Sequence, residues 1–284
     1  SPGVTAPGRL VLVGTPIGNL GDMTPRAVEA LRDADVVACE DTRRTRALLT
    51  HAGLSGAGRL RAVHASNEAR EAEKIVGEIQ KGRVVAYASD AGMPGISDPG
   101  ARLVRACLDA GLDVEVVPGV SAVLAALVVS GLPADRFCFE GFLPRKGSAR
   151  RARLDAIASS EQTVVLYEAP GRVDATLGEL LAVCGPQRRV AVVRELTKLH
   201  EEVVRGDLGS VVEQAGSEAR RGEHVVVLEG VTRSAAVDDA TLETAVAAAM
   251  QDGRSARDAS AEVAGALGVS KRRAYDVAVR LRAR

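Results

Sequence analysis

From residue 9 to about residue 124, short apolar runs alternate with longer segments whose apolar positions recur every three or four residues. The short runs predict β-strands over 9–13, 35–39, 59–63, 83–88 and 113–117. The longer segments predict helices over 24–33, 42–50, 67–80, 98–110 and 120–130. Alternation of this kind predicts a mostly parallel sheet with helices on both faces. Gly131, Leu132 and Pro133 break the pattern and predict a bend between domains. A second α/β unit is expected beyond it, with strands over 137–141, 163–168, 189–195, about 201–206, and 223–229. Three consecutive strands of this unit stand close to hairpin spacing, which predicts a mixed sheet. The polar, Ala-rich stretch 230–239 predicts a linker, and 240–284 carries Ala and Leu at helical spacing without a β-type run. The expected organisation is an α/β domain over 1–130, a second over 131–230, and a linker with a helical tail over 231–284.

A chain of 284 residues is long enough for two compact domains. Lys plus Arg and Asp plus Glu both number 37, so only the distribution of charge can point to a partner. No apolar run reaches the roughly 18 residues of a membrane helix, and no membrane partner is expected. The opening SPGVTAPGR lacks the apolar stretch of a signal peptide. Four cysteines (Cys39, Cys107, Cys138, Cys184) are widely spaced in or beside apolar runs and read as buried free thiols of a cytoplasmic protein. Cysteines and histidines show no metal-ligand spacing, so no metal is expected.

Candidate chemistry lies where strands end. The first predicted strand opens into a loop with Gly14, Pro16, Gly18 and Gly21. The second ends in Glu40, Asp41, Thr42 and Arg43. The fourth opens into DAGMPGISDPG (residues 90–100), and the fifth into PGVSA (residues 118–122). A short polar turn would suffice to connect a strand to a helix. Three Gly- and Pro-rich loops at strand ends instead predict one shared small-molecule site, because glycine lets backbone amides approach a ligand closely. The first loop matches neither the dinucleotide pattern G-x-G-x-x-G nor a phosphate loop ending in Gly-Lys-Ser/Thr.

Two basic clusters stand out. Arg145, Lys146, Arg150, Arg151 and Arg153 follow the Gly141–Pro144 strand end without one acid among them, and predict a phosphate-contacting loop over 143–153. The alternative is a solvated charged face. In the tail, 256–268 and 271–284 read as two short helices around a break, with Ser270 as cap and Lys271, Arg272 and Arg273 in the second helix's first turn. That arrangement resembles a helix-turn-helix. A solvated helical hairpin is the competing reading.

In this order, TPIGNLGDMTPRAVEAL, CEDTRRTRALL, SDAGMPGISDPG, PGVSA and RELTKLHEE closely resemble motifs of the tetrapyrrole methylase superfamily, and within it those of bacterial enzymes acting on small-subunit ribosomal RNA. The resemblance covers about residues 9–230, with a weaker counterpart for the tail. It implies two α/β domains with S-adenosylmethionine (SAM) in the cleft between them, and a homodimer. The activity it implies is SAM-dependent 2′-O-methylation of a cytidine ribose, with 16S rRNA or the small ribosomal subunit as partner. Met93 stands where relatives often have Thr, and Ala169–Pro170–Gly171–Arg172 where many have Ser-Pro-His-Arg.

Under this resemblance the cofactor residues would be Gly14, Thr15 and Pro16; Asp90, Ala91, Gly92 and Ile96; and Ser121 and Ala122. A ribose hydroxyl must lose a proton as it attacks, and Glu40, Asp41, Glu195 and Lys198 are the candidates to assist, Lys198 only with a lowered pKa. Arg43 joins Arg145, Lys146, Arg150, Arg151, Lys271, Arg272 and Arg273 as RNA-contacting candidates, and Arg194 suits a phosphate too. Two alternatives stay open: a C-methyltransferase acting on a tetrapyrrole precursor, and a non-catalytic nucleic-acid-binding protein with structural glycine loops.

Overall fold

A computed structural model of the chain describes residues 8–214, 222–231, 237–251 and 254–282. The chain divides into two compact units, Ser1–Gly230 and Val231–Arg284. The first half of the larger unit is built from β1 (Arg9–Val13), α1 (Pro25–Asp33), β2 (Val36–Cys39), α2 (Thr42–His51), β3 (Leu60–Ala62), α3 (Glu68–Gln80), β4 (Val84–Ala88), α4 (Gly100–Asp109), β5 (Asp113–Val117) and α5 (Ala122–Ser130). Its sheet is entirely parallel, in the order β3-β2-β4-β1-β5. Successive residues of a strand face opposite sides. Leu10, Ala38, Val85 and Tyr87 accordingly pack with Ile75 and Ile79 of α3 and Leu103 of α4, while Val11, Val13, Val37 and Ala88 pack with Leu31 of α1 and Leu49 of α2.

The second half continues with β6 (Phe137–Phe142), α6 (Gly147–Ser159), β7 (Thr163–Glu168), α7 (Val173–Cys184), β8 (Arg189–Arg194), β9 (Glu202–Asp207), α8 (Leu208–Gln214) and β10 (His224–Leu228). The sheet order is β6-β7-β10-β8-β9. Only β6 and β7 are parallel, so the sheet is mixed, as the hairpin spacing predicts. One face packs on α6, α7 and α8. The other receives α5, whose Val123, Ala126 and Leu127 sit on Val165, Ala191, Val193 and Val225. The element following the first sheet thus packs on the second.

Among its described residues the smaller unit has three helices, α9 (Asp239–Gln251), α10 (Ala256–Leu267) and α11 (Lys271–Arg282), around Leu242, Val246, Val263 and Val277. Gly268, left-handed at φ 65°, ends α10, and the Ser270 hydroxyl accepts from Arg273 N at 3.2 Å to begin α11. Of the expected linker at 230–239, residues 232–236 lie outside the described residues, and Asp239 already begins α9. No described helix is long and apolar enough to cross a membrane. All four cysteines are free; Cys39 and Cys107 are buried, whereas Cys138 and Cys184 are only half-buried, contrary to expectation.

Candidate active site

Strand register brings the expected loops together. Val13 pairs with both Ala88 and Val117, and Cys39 with Ala88, so the carboxyl ends of β1, β2, β4 and β5 lie level. Thr15 and Gly92 then exchange backbone hydrogen bonds of 3.0 and 3.1 Å. Gly14 N donates to Val117 O at 2.9 Å. A Cβ on Gly14 would lie 2.6 Å from Gly119 N, so the two loops meet where no side chain fits. The buried Thr15 hydroxyl donates to Ser89 O at 3.2 Å, and Met93 Sδ accepts from Gly119 N at 3.3 Å.

A cavity of about 370 Å³ lies beside this joint, a size suited to small organic ligands. Asp90, Ala91, Gly92, Ile96, Ser121 and Ala122 line it. Gly14, Thr15 and Pro16 do not; the first two join the loops, with their polar groups turned to other backbone. The second sheet supplies the opposite wall, with Phe142, Tyr167, Glu168, Val193 and Val225. Three non-glycine residues have positive φ among those described: Ser97 (58°), Glu195 (49°) and Thr197 (69°). Ser97 lines the cavity and the other two flank Leu196, which also lines it. Strain of this kind concentrates at functional sites.

The cavity is acidic. Glu40, Asp90 and Asp98 line it together with Arg44, whose guanidinium stands 3.9 Å from Asp90. Burial, followed by the charges of Asp90 and Asp98, pushes the Glu40 carboxyl above the ordinary carboxylate range. Burial also raises Asp98, outweighing the hydrogen bonds its Oδ1 accepts from Gly95 N and Gly100 N at 2.7 and 2.8 Å. Asp98 Oδ2 and the Tyr87 hydroxyl are buried without a hydrogen-bond partner among the described residues.

The four candidate proton acceptors separate here. Only Glu40 lines the cavity. Asp41 caps α2, accepting from Arg43 N at 2.8 Å, and its hydrogen bonds with the Arg43 side chain and backbone hold its pKa low. Glu195 is lowered first by the backbone N–H of Glu223. Lys198 corrects the expectation of a lowered pKa. Burial alone would lower it, but hydrogen bonds to Glu223 (2.7 Å) and Glu195 (3.3 Å) outweigh burial and raise it, keeping the amine charged. Its stem packs against Gly18 and ties this loop to the first one.

The basic cluster is also revised. Residues 147–159 form α6 and not a loop, and helical spacing places Arg150 on the same buried face as Leu154 and Ile157. Arg150 donates to Glu179 (2.6 Å), Pro144 O and Thr176 (both 2.9 Å), so its donors are engaged inside the fold. Arg153 pairs with Glu140. Arg145, Lys146 and Arg151 are exposed and form no ion pair among the described residues. Arg43 is exposed and paired with Asp41, and Arg194 is paired with Glu202 at 3.1 Å. In the tail, Arg273 is tied to Asp239 and Val237 O, leaving Lys271 and Arg272 exposed on α11.

Sequence reasoning missed Arg44, Asp98, Phe142, Tyr167 and Glu168. Asp98 had a signal, its place within the Gly- and Pro-rich loop. Nothing local marks Tyr167, because an apolar strand residue looks alike on either face of a sheet.

A parallel sheet whose strand-end loops converge on a cavity, closed by a second mixed sheet, defines an α/β protein that holds a small molecule between two lobes. The chain belongs to the family described as Tetrapyrrole (Corrin/Porphyrin) Methylases, whose sequence model matches residues 9–212. It is 45% identical over 278 residues to the ribosomal RNA small subunit methyltransferase I of Mycobacterium tuberculosis (strain CDC 1551 / Oshkosh), covering 97% of this chain and 96% of that one. To the protein of the same name from Synechocystis sp. (strain ATCC 27184 / PCC 6803 / Kazusa) it is 41% identical, covering 97% and 99%. Among solved structures, the uroporphyrin-III C-methyl transferase of Thermus thermophilus, complexed with S-adenyl homocysteine, superposes with a TM-score of 0.55 at 24% identity. That match covers 78% of this chain and 97% of the other, and it concerns the fold.

Proposed function

We propose that this protein transfers the methyl group of SAM to the 2′-oxygen of a cytidine ribose in 16S rRNA. The observation that carries this reading is 45% identity, over nearly the whole chain and the tail included, to a relative named as a small-subunit rRNA methyltransferase. The residues present fit the cofactor. Carboxylates at Glu40, Asp90 and Asp98, one of them with an unpartnered buried oxygen, suit a ligand bearing a sulfonium and an ammonium. Asp90, Ala91, Gly92, Ile96, Ser121 and Ala122 would hold it, and once bound it supplies an electrophilic methyl carbon. Positioning supplies much of the rate of such an in-line displacement. Glu40 is the proton acceptor in this reading, since it lines the cavity and has a pKa moved toward working pH.

In the same reading, residues 1–130 and 131–230 act as two domains around the cofactor, and the protein works in the cytoplasm as a homodimer. The outer face of α5 supports the dimer: the helix is apolar on all sides, with Leu124 52% and Val128 77% exposed. The test of the activity is transfer of labelled methyl from SAM to 30S subunits or 16S rRNA, with the modified ribose located by its resistance to alkaline hydrolysis. A methylated base in place of a methylated ribose overturns the 2′-O assignment. Product from uroporphyrinogen and none from RNA favours the tetrapyrrole alternative.

Three further outcomes are expected. Changing Arg145, Lys146 and Arg151 together to alanine weakens RNA binding and lowers the slope of log affinity against log salt by roughly 2, with SAM affinity unchanged. Arg150→Ala behaves differently: it lowers Tm by roughly 5–10 °C, because Glu179 and Thr176 lose a buried partner. An unaltered salt slope in the triple variant returns those cations to a solvated face. Truncation after Gly230 removes a unit with its own core, so SAM binding and Tm of the remainder stay near normal while affinity for the ribosomal substrate falls. A large drop in Tm with loss of SAM binding refutes that role for the tail.

A further inference from the structure

We infer that Phe142 is the platform on which the target base of the RNA stacks, with Arg145 and Lys146 holding the flanking phosphates. The inference rests on the RNA methyltransferase reading and adds how the nucleotide is held. The donor lies inside a cavity between two sheets, and single-stranded RNA enters such sites with its nucleotides splayed out of the stack. The base that comes out exposes both of its faces and needs a new stacking partner.

Strand geometry aims Phe142 at the cavity. Phe139 pairs with Val165, so in an unbroken register residue 141 would meet Tyr167 and residue 142 would point to the opposite face, toward α6 and α7. The register instead shifts between Phe139 and Gly141, so that Gly141 pairs with Leu166 and Phe142 with Tyr167. Gly141 adopts φ 63°, which a glycine tolerates at this bulge. Phe142 thereby joins Phe139 and Tyr167 on the cavity face, its ring centroid 5.5 Å from that of Tyr167. Bulges beside active sites re-aim side chains in this manner.

Phe142 is nevertheless 58% exposed, in a chain with only three Phe and no Trp. Core packing gives no reason to leave a large aromatic at the mouth of a cavity. The cations three and four residues further along, Arg145 and Lys146, are exposed and without an ion pair among the described residues. An aromatic platform next to free cations is the pairing that single-stranded RNA recognises, base on ring and phosphate on cation.

The test compares Phe142→Ala and Phe142→Tyr with wild type, measuring methyl transfer to 30S subunits and SAM affinity by calorimetry. Phe142→Ala is expected to lower kcat/KM for the RNA substrate roughly 10- to 100-fold, with Phe142→Tyr within about threefold of wild type and SAM Kd within about twofold in both. Phe142→Trp places a single tryptophan in a chain that has none, and oligocytidylate is expected to quench its fluorescence while the matching abasic ribose-phosphate chain does not. Wild-type RNA activity with unchanged Phe142→Ala kinetics overturns the inference. So does equal quenching by both oligomers, and so does a loss of SAM affinity in place of RNA affinity, which assigns the ring to the cofactor. A wild-type protein that methylates no RNA overturns the RNA reading and this inference with it.

Discussion

Replacing Gly92 with valine is expected to abolish SAM binding while the two sheets remain folded. Gly92 adopts φ 79°, and a Cβ there would lie 3.1 Å from both Ile17 Cγ2 and Val120 O. A β-branched residue is strongly disfavoured at positive φ, and contacts this tight on two sides leave little room to relax. The loop must therefore move. Its N–H and C=O are the groups that bond Thr15 and join the first glycine-rich loop to the second, so both displace together. The core residues of the first sheet lie on its two faces and not in this loop, so circular dichroism should stay native-like. The expected result is a loss of at least 100-fold in SAM affinity by calorimetry, with Gly92→Ala intermediate. Undiminished affinity in a folded Gly92→Val protein would remove the assignment of this loop to the cofactor.

Glu40→Gln is expected to lower kcat by about 10²- to 10⁴-fold without destabilising the fold. The variant keeps the side chain's size and removes its charge. As a proton acceptor Glu40 must be ionised, so wild-type kcat rises with pH through its raised pKa and the variant's does not. The sign for stability is opposite. A carboxyl whose folded pKa lies above its unfolded value binds more protons in the native state, so its contribution to stability falls as pH rises between the two values. Removing the half-buried charge therefore leaves Tm at pH 7 to 8 at or above that of wild type. A variant with wild-type kcat and an unchanged pH profile transfers the role to another group. A variant that melts well below wild type shows Glu40 to be structural.

The order of strands and helices in the first half and the strands of the second were legible in the chain itself, and so was the convergence of three loops, whereas α6 was read as a loop. Both follow from short-range causes. Apolar runs bounded by glycine and proline report local backbone preference, and helical periodicity reports one buried face. The parallel first sheet follows from strand–helix alternation, and the mixed second sheet from hairpin spacing. Asp90, Gly92 and Ser121 were locatable for the same reason, since glycine-rich strand ends position backbone for ligands.

Roles that depend on partners distant in sequence were not legible. Arg150 reads as one of five loop cations, yet the helix carrying it turns the side chain onto Thr176 and Glu179. Lys198 reads as a possible base, yet Glu223, 25 residues away, holds it charged. Phe142 reads as the end of an apolar strand, and only its register against β7 assigns it to the cavity face. Thr15 reads as a ligand contact, and only the approach of the Ser89–Gly92 loop engages its hydroxyl elsewhere. By itself the sequence determined the elements of the first half, the strands of the second and the loops at the strand ends, because those follow from neighbours within a few residues. Tertiary structure alone decided which side chains face the cavity and which groups carry charge there, because burial and pairing depend on residues that the fold brings together from far along the chain.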